Sequence, residues 1–167
     1  MGYVHDTHMS QYIPPTAFHC VTGTYTLTAG QVAGTISKHK ASADDNTVVT
    51  IPIMLPSNSV ALKGAKLASV EIDYEFTGAA ATDVLASCSK VTRGADTAVA
   101  VVTDVPVTQD LAHGAAATLL DQHKLTVTIT TPAWIDNDEY YLLVLTIDTN
   151  SAVIELLGAV ANFTLRM

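Results

Sequence analysis

From 66 to 76 the chain alternates: Ala68, Val70, Ile72, Tyr74 and Phe76 are apolar, while Ser69, Glu71, Asp73 and Glu75 are polar. Successive side chains of a strand point to opposite faces. A period of two therefore predicts a strand with one face in a core and the other in water or against a polar neighbour. The last third of the chain carries a different pattern. Its runs at 124–131, 140–148 and 153–165 hold apolar residues on both faces, which predicts strands in the middle of a sandwich or an assembly. Further strands are expected at 18–27, 31–39, 47–55, 84–91 and 98–107, with turns at 28–30, 43–46, 56–60, 77–81 and 92–96. Pro52 lacks a ladder donor and predicts an edge or bulge position; Pro106 predicts a kink. The segment 110–122 is ambiguous: its Ala and Leu content supports a short helix capped by Asp110, and Gly114 weakens it.

Many strands at roughly ten-residue spacing, with no alternating helices, predict an all-β fold. The expected architecture is a two-sheet antiparallel sandwich, jelly-roll-like, as a single domain over 16–167. Residues 1–15 show neither period and end in Pro14 and Pro15, so they are expected to form an extended N-terminal arm held by a neighbouring chain.

Composition sharpens this picture. The chain is 49% hydrophobic and 14% charged, against roughly a quarter charged in ordinary domains. Such thin polar cover implies that part of the surface is buried against other chains. A net charge of −8, with Lys38-His-Lys40 as the densest basic cluster, argues against nucleic acid and against an anionic membrane as partners. Cys20 and Cys88 sit in apolar strand runs and are expected to be free thiols. No apolar run reaches the length of a transmembrane helix. The N-terminus lacks the pattern of a signal peptide, and Asp6 stands where myristoylation wants Ser or Thr. The sequon at Asn162 lies inside a strand run and is read as chance.

Candidate chemistry is sparse. His5 and His8 would fall on opposite faces of an extended arm, so one chain supplies too few metal ligands. The acidic stretch 136–139 lacks the glycine and distal glutamate of a calcium loop and is read as a solvated turn. Glu71, Asp73 and Glu75 line one strand face at about 7 Å spacing. Paired carboxylates serve glycosidases, but a polar sheet face is the commoner reading. No nucleophile elbow, zinc helix or phosphate loop appears. The expectation is a non-enzymatic protein with no catalytic residue, metal or cofactor.

Three stretches carry a resemblance: IPIMLPSNSVALKGAKLASVEIDY at 51–74, TPAWIDNDEYYLLVLTID at 131–148, and LGAVANFTL at 157–165. They resemble small β-rich structural proteins of tailed phages and environmental viruses, over 47–76 and 123–166. The resemblance implies a virion component on the outer capsid surface: a jelly-roll decoration or cement protein that binds capsid subunits and its own copies, as a homo-oligomer with a trimer favoured. On that reading the partner contacts are Tyr3, His5, His8, Tyr12, Pro14, Pro15, Leu142 and Val144. One alternative is a receptor- or carbohydrate-binding sandwich, such as a tail-fibre head, with Trp134 and Tyr140 as ligand contacts. Another is a self-assembling capsid or filament subunit.

Overall fold

The computed structural model describes residues 5–30, 35–56, 64–94, 99–110, 112–113 and 121–166. Within them the chain forms β1 (Asp6–Ile13), a 3-10 turn (Pro15–Ala17), β2 (His19–Thr22), β3 (Thr26–Ala29), β4 (Ile36–Lys40), β5 (Asn46–Ile53), β6 (Ala65–Thr77), β7 (Asp83–Thr92), β8 (Val101–Val105), β9 (Val107–Gln109), β10 (Asp121–Ile129), β11 (Glu139–Asp148) and β12 (Val153–Arg166).

The all-β sandwich expected from the alternation is present, and its winding is that of a jelly roll. β4, β12, β6 and β10 lie side by side in one sheet, and β5, β11, β7 and β8 in the other. Each step along the chain between these strands crosses from sheet to sheet, except that from β7 to β8, which are paired neighbours in the second sheet. β3, β9 and β1 bring the first sheet to seven strands, and β2 brings the second to five. Two of the three runs expected to be apolar on both faces sit centrally: β11 lies between β5 and β7, and β12 between β6 and the β4–β1 pair. The third, β10, lies between β6 and β9 but alternates, with Leu125, Val127 and Ile129 buried and Lys124, Thr126 and Thr128 on the outer face. Their inward residues, with Val70, Ile72, Tyr74 and Phe76 of β6, form one buried cluster. Each fully buried Leu or Ile in it contributes about 2–3 kcal/mol. The buried tyrosines keep their hydroxyls satisfied: Tyr141 donates to the Ala133 carbonyl at 3.1 Å and Tyr74 to that of His113.

Several expectations need correction. Residues 6–13 are not an arm on a neighbouring chain but β1 of the chain's own sheet, running from Asp6 opposite Arg166 to Ile13 opposite Ala159. Arm and edge strand share one extended backbone. β12 decides between them, because β4 pairs with it only over 154–156 and leaves that side open beyond. Pro14 is exposed, whereas Pro15 is buried at the start of the 3-10 turn, so it contacts its own core rather than a partner. Tyr3 lies outside the described residues. The run 18–27 is two strands in different sheets, divided where Gly23 turns the chain with φ +84°. The run 98–107 is likewise divided at Pro106, where the chain passes from β8 in one sheet to β9 in the other. Pro52 pairs with Leu142 beyond the last residue that β2 matches, where β5 has a partner on one side only. The helix expected at 110–122 falls mostly outside the described residues. Asp110 caps a turn by accepting the Ala112 amide at 2.9 Å, and β10 begins at Asp121.

A polar clasp ties the β4–β5 loop to the β11–β12 turn. Lys40 is only 3% exposed, yet its Nζ lies 2.8 Å from an Asp45 carboxylate oxygen and donates to the Ala41 carbonyl at 3.2 Å. The Thr149 hydroxyl accepts the Asp45 amide at 3.1 Å and lies within reach of the Ala43 and Asp45 carbonyls. Beyond it Asn150 and Ser151 both have positive φ, and the Ala152 amide donates to the Thr149 carbonyl at 2.7 Å, a type I′ turn.

The ion pairs set an acid limit. The Lys40 hydrogen bond holds the Asp45 carboxyl below the usual range. Burial alone would raise Glu139, but Lys90 at 2.6 Å, the Asp136 amide and the Thr92 hydroxyl together carry it below. A carboxyl whose pKa folding lowers stabilises the fold above its unfolded value, and that contribution is lost as pH falls through the folded value. Thermal stability is therefore expected to be level from neutral pH down to about 5 and to fall below about pH 4. A melting profile in which Asp45→Asn shows the same acid drop as the unaltered chain would contradict this assignment.

Candidate functional site

The polar half of the β6 alternation lies on the outer face of the seven-stranded sheet, and the register across four strands arranges it in rows. One row runs Ser10, Asn162, Ser69, Thr128, and the next Tyr12, Val160, Glu71, Thr126. Then come Gly158, Asp73 and Lys124, followed by His39, Glu155, Glu75 and Gln122. Successive rows stand about 7 Å apart, two residues along a strand.

The first two rows are stitched into one network. Ser10 donates to Asn162 Oδ1 at 2.6 Å, and the Asn162 amide donates to Ser69 at 3.3 Å and Glu71 at 3.4 Å. Lys124 reaches the other Glu71 oxygen at 2.9 Å, which raises the Lys124 pKa. Burial pushes the Asp73 carboxyl up, against the pull of Lys124. Glu155 meets His39 at 3.6 Å across the β12–β4 pair. The network displays fixed donors and acceptors on a rigid sheet.

Tyr12 lies beside this network, 59% exposed. Its hydroxyl donates to the Leu157 carbonyl at 3.1 Å. The ring lies across the backbone at Gly158, where a β-carbon would stand 2.6 Å from the hydroxyl and 2.8 Å from a ring carbon. Gly158 has φ +148° and follows Leu157, the extra residue of a β-bulge against β6. A glycine beside a bulge, with no β-carbon, is what lets the aromatic ring approach the backbone this closely.

Trp134 stands at the far end of the same face, roughly 20 Å from the Tyr12 row by the six-residue rise of β12. Its ring is engaged by two cations, with Lys66 Nζ at 4.9 Å and the Arg166 guanidinium at 4.1 Å from its centroid. Arg166 also pairs with Asp6 at 3.0 Å and draws that carboxyl below its ordinary range. Arg166 thus clasps the start of β1 to the end of β12, with the Trp134 ring against its guanidinium.

The other sequence candidates are dispersed. His8 lies in the row of Thr164 and Lys66, 3.4 Å from the Thr164 hydroxyl, and His5 is exposed. Tyr140, Leu142 and Val144 lie half-buried on the outer face of the five-stranded sheet, opposite Val91, Ser89 and Ser87. Tyr140 therefore cannot share a ligand with Trp134 or Tyr12. The acidic stretch 136–139 is a turn folded on itself and on β7, with Glu139 accepting the Asp136 amide and Arg93 donating to the Asn137 carbonyl. Among the described residues no cluster of three or more His, Cys, Asp or Glu has the geometry to hold a metal. Cys20 and Cys88 are free thiols, and burial pushes Cys88 up to about 12. A cavity of about 270 Å³ between β3 and the β4–β5 loop is lined by Thr24, Thr26, His39 and Ser42, but its charged groups, Lys40 and Asp45, are spent on each other.

Sequence reasoning missed Ser10, Asn162, Lys124 and Gly158 as members of one site. One signal was available: a glycine inside an apolar strand run marks a bulge or a close approach.

A scan against protein-family models finds no match, and neither does a search of curated proteins. Among solved structures, the chain is similar to the CBM22-1 xylan-binding domain of Paenibacillus barcinonensis Xyn10C, at 12% identity and TM-score 0.47 over 95% of this chain and 92% of that one. It is also similar to CBM29_1, a family 29 carbohydrate-binding module from Piromyces equi, at 11% identity and TM-score 0.46 over 93% and 91%. The catalytic domain of Agl-KA matches at 12% identity and TM-score 0.45, over 91% of this chain and 27% of that one. At these identities and scores no residue role passes from them to this chain.

Proposed function

We propose that the chain is a non-catalytic carbohydrate-binding module whose ligand lies on the outer face of the seven-stranded sheet, against Tyr12. The observation that carries this reading is the exposed Tyr12 ring laid across Gly158, beside the Ser10–Asn162–Glu71–Lys124 network. A sugar has an apolar C–H face and a rim of hydroxyls. A flat ring supports the first, and planar amide and carboxylate groups on the neighbouring strands address the second. The site is pre-formed, because each polar group is held by its neighbours before any ligand arrives.

Affinity electrophoresis against a panel of soluble polysaccharides, neutral and charged, tests the reading. At least one neutral polysaccharide is expected to retard the chain, and Tyr12→Ala should weaken that binding by about tenfold or more, roughly 1.4 kcal/mol. Trp134→Ala should leave it in place, since that ring is committed to Lys66 and Arg166. Failure of the whole panel to bind, or a Tyr12→Ala variant that binds normally, would sink the proposal.

A second reading, a subunit or cement protein of a larger assembly, draws on the opposite side of the molecule. There the outer face of the five-stranded sheet carries Leu142 and Val144, half-buried, and Leu85, 46% exposed, among serines and threonines. Electron microscopy of the purified chain showing closed particles or filaments would favour it.

A further inference from the structure

We infer that β8 is a self-association edge, which pairs antiparallel with β8 of a second copy across a two-fold axis and joins two five-stranded sheets into one of ten. β8 is the last strand of its sheet. β7 pairs with it on one side, and among the described residues nothing pairs on the other. Val101 and Val102 are neighbours and so point to opposite faces, yet they are 59% and 62% exposed; Val99 just before them is 86% exposed. A strand open on its edge and apolar on both faces is what soluble proteins avoid, usually by placing lysine, proline or a bulge there. From Val99 to Thr103 β8 and its lead-in carry none of these; the strand's one charge, Asp104, comes next to its last residue. The other described edges are managed: β9 has three residues, β3 has four, β2 is broken by a register shift, and β1 carries Asp6 and His8.

The occupant follows from the pattern of β8 itself. A two-fold contact keeps the faces of the two sheets continuous only if the axis passes through a residue position, because faces alternate with period two. Centring the axis on Val102 sets Val102 against its own copy, Val101 against Thr103, and Val99 against Val105. Asp104 then lies opposite Ala100, so the two acids stand apart. Moving the axis one residue, to Thr103, would set Asp104 against Val102 and bring the two aspartates closer. For a chain of net charge −8, a register that keeps acids apart is a condition for association. The contact is isologous and closes as a dimer, in place of the trimer implied by the viral resemblance. It leaves the Tyr12 face free on both copies, so two sugar sites would act together.

Sedimentation analysis of the full chain from micromolar to sub-millimolar concentration tests the inference. A concentration-dependent dimer is expected, and Val102→Lys, which sets two cations against each other across the axis, should give a monomer with an unchanged circular-dichroism spectrum. A second variant covers the case in which Val102→Lys fails to fold. Val102→Cys, with Cys20 replaced by serine, should form an intermolecular disulfide under mild oxidation, since directly opposed residues stand about 4.5–5.5 Å apart at Cα. Val99→Cys in the same background should not, although it is the more exposed position. A wild-type chain that stays monomeric throughout, a Val102→Lys variant that still dimerises, or cross-linking at 99 but not at 102 would each overturn the β8 contact.

Discussion

Replacing Asp45 by alanine is expected to lower the stability of the fold by about 2–3 kcal/mol, or roughly 5–10 °C in melting temperature for a chain of this length. The cost comes from what is left behind. Lys40 is almost fully buried, and without Asp45 its ammonium keeps one carbonyl partner and no counter-charge. Full removal of a partner from a buried pair costs more. Here Asp45 is 42% exposed, so water already screens part of the attraction. The test of mechanism is the double variant. Lys40→Met in the Asp45→Ala background removes the stranded charge and is expected to recover most of the loss. Chemical denaturation that finds the double variant as unstable as the sum of the two single ones would assign the cost to loop geometry instead.

The second large effect is expected at Gly158. Gly158→Val forces a side chain onto φ +148°, where side chains are rarely tolerated, at a cost of about 1–3 kcal/mol. It also drives the Tyr12 ring off the sheet, because the new β-carbon claims the space of its hydroxyl. The two consequences separate in a cycle with Tyr12→Ala. Stability should be as low in the double variant as in Gly158→Val alone, since Tyr12 is at the exposed end of the contact and can swing away. Polysaccharide binding should be equally weak in all three variants. A Gly158→Val variant that binds as tightly as the unaltered chain would show that the position of the ring is immaterial.

The alternation at 66–76 is a local property, so the inward and outward faces of β6 were legible at once, as were the central places of β11 and β12. What could not be read is which strand stands beside which. Ser10 and Asn162, the closest contact of the polar network, are 152 residues apart in sequence, and no local period connects them. The same limit explains the supposed arm, because 6–13 become a strand only where β12 has an open side. The runs at 18–27 and 98–107 were correctly β-prone, but propensity does not record a change of sheet, which Gly23 and Pro106 impose. Trp134 was singled out with Tyr140 as an alternative ligand contact, and its two cationic neighbours come from distant strands.

The antiparallel pairing of β1 with β12 has a mechanical consequence. Asp6 and Arg166 sit side by side at the same end of the ladder. Tension applied between them pulls across the hydrogen bonds rather than along the strands, and peels β1 away pair by pair from the Arg166 clasp toward Ile13. The sandwich behind β12 carries no load until that peeling is complete, and Tyr12, near the far end of the ladder, is among the last residues to leave the sheet.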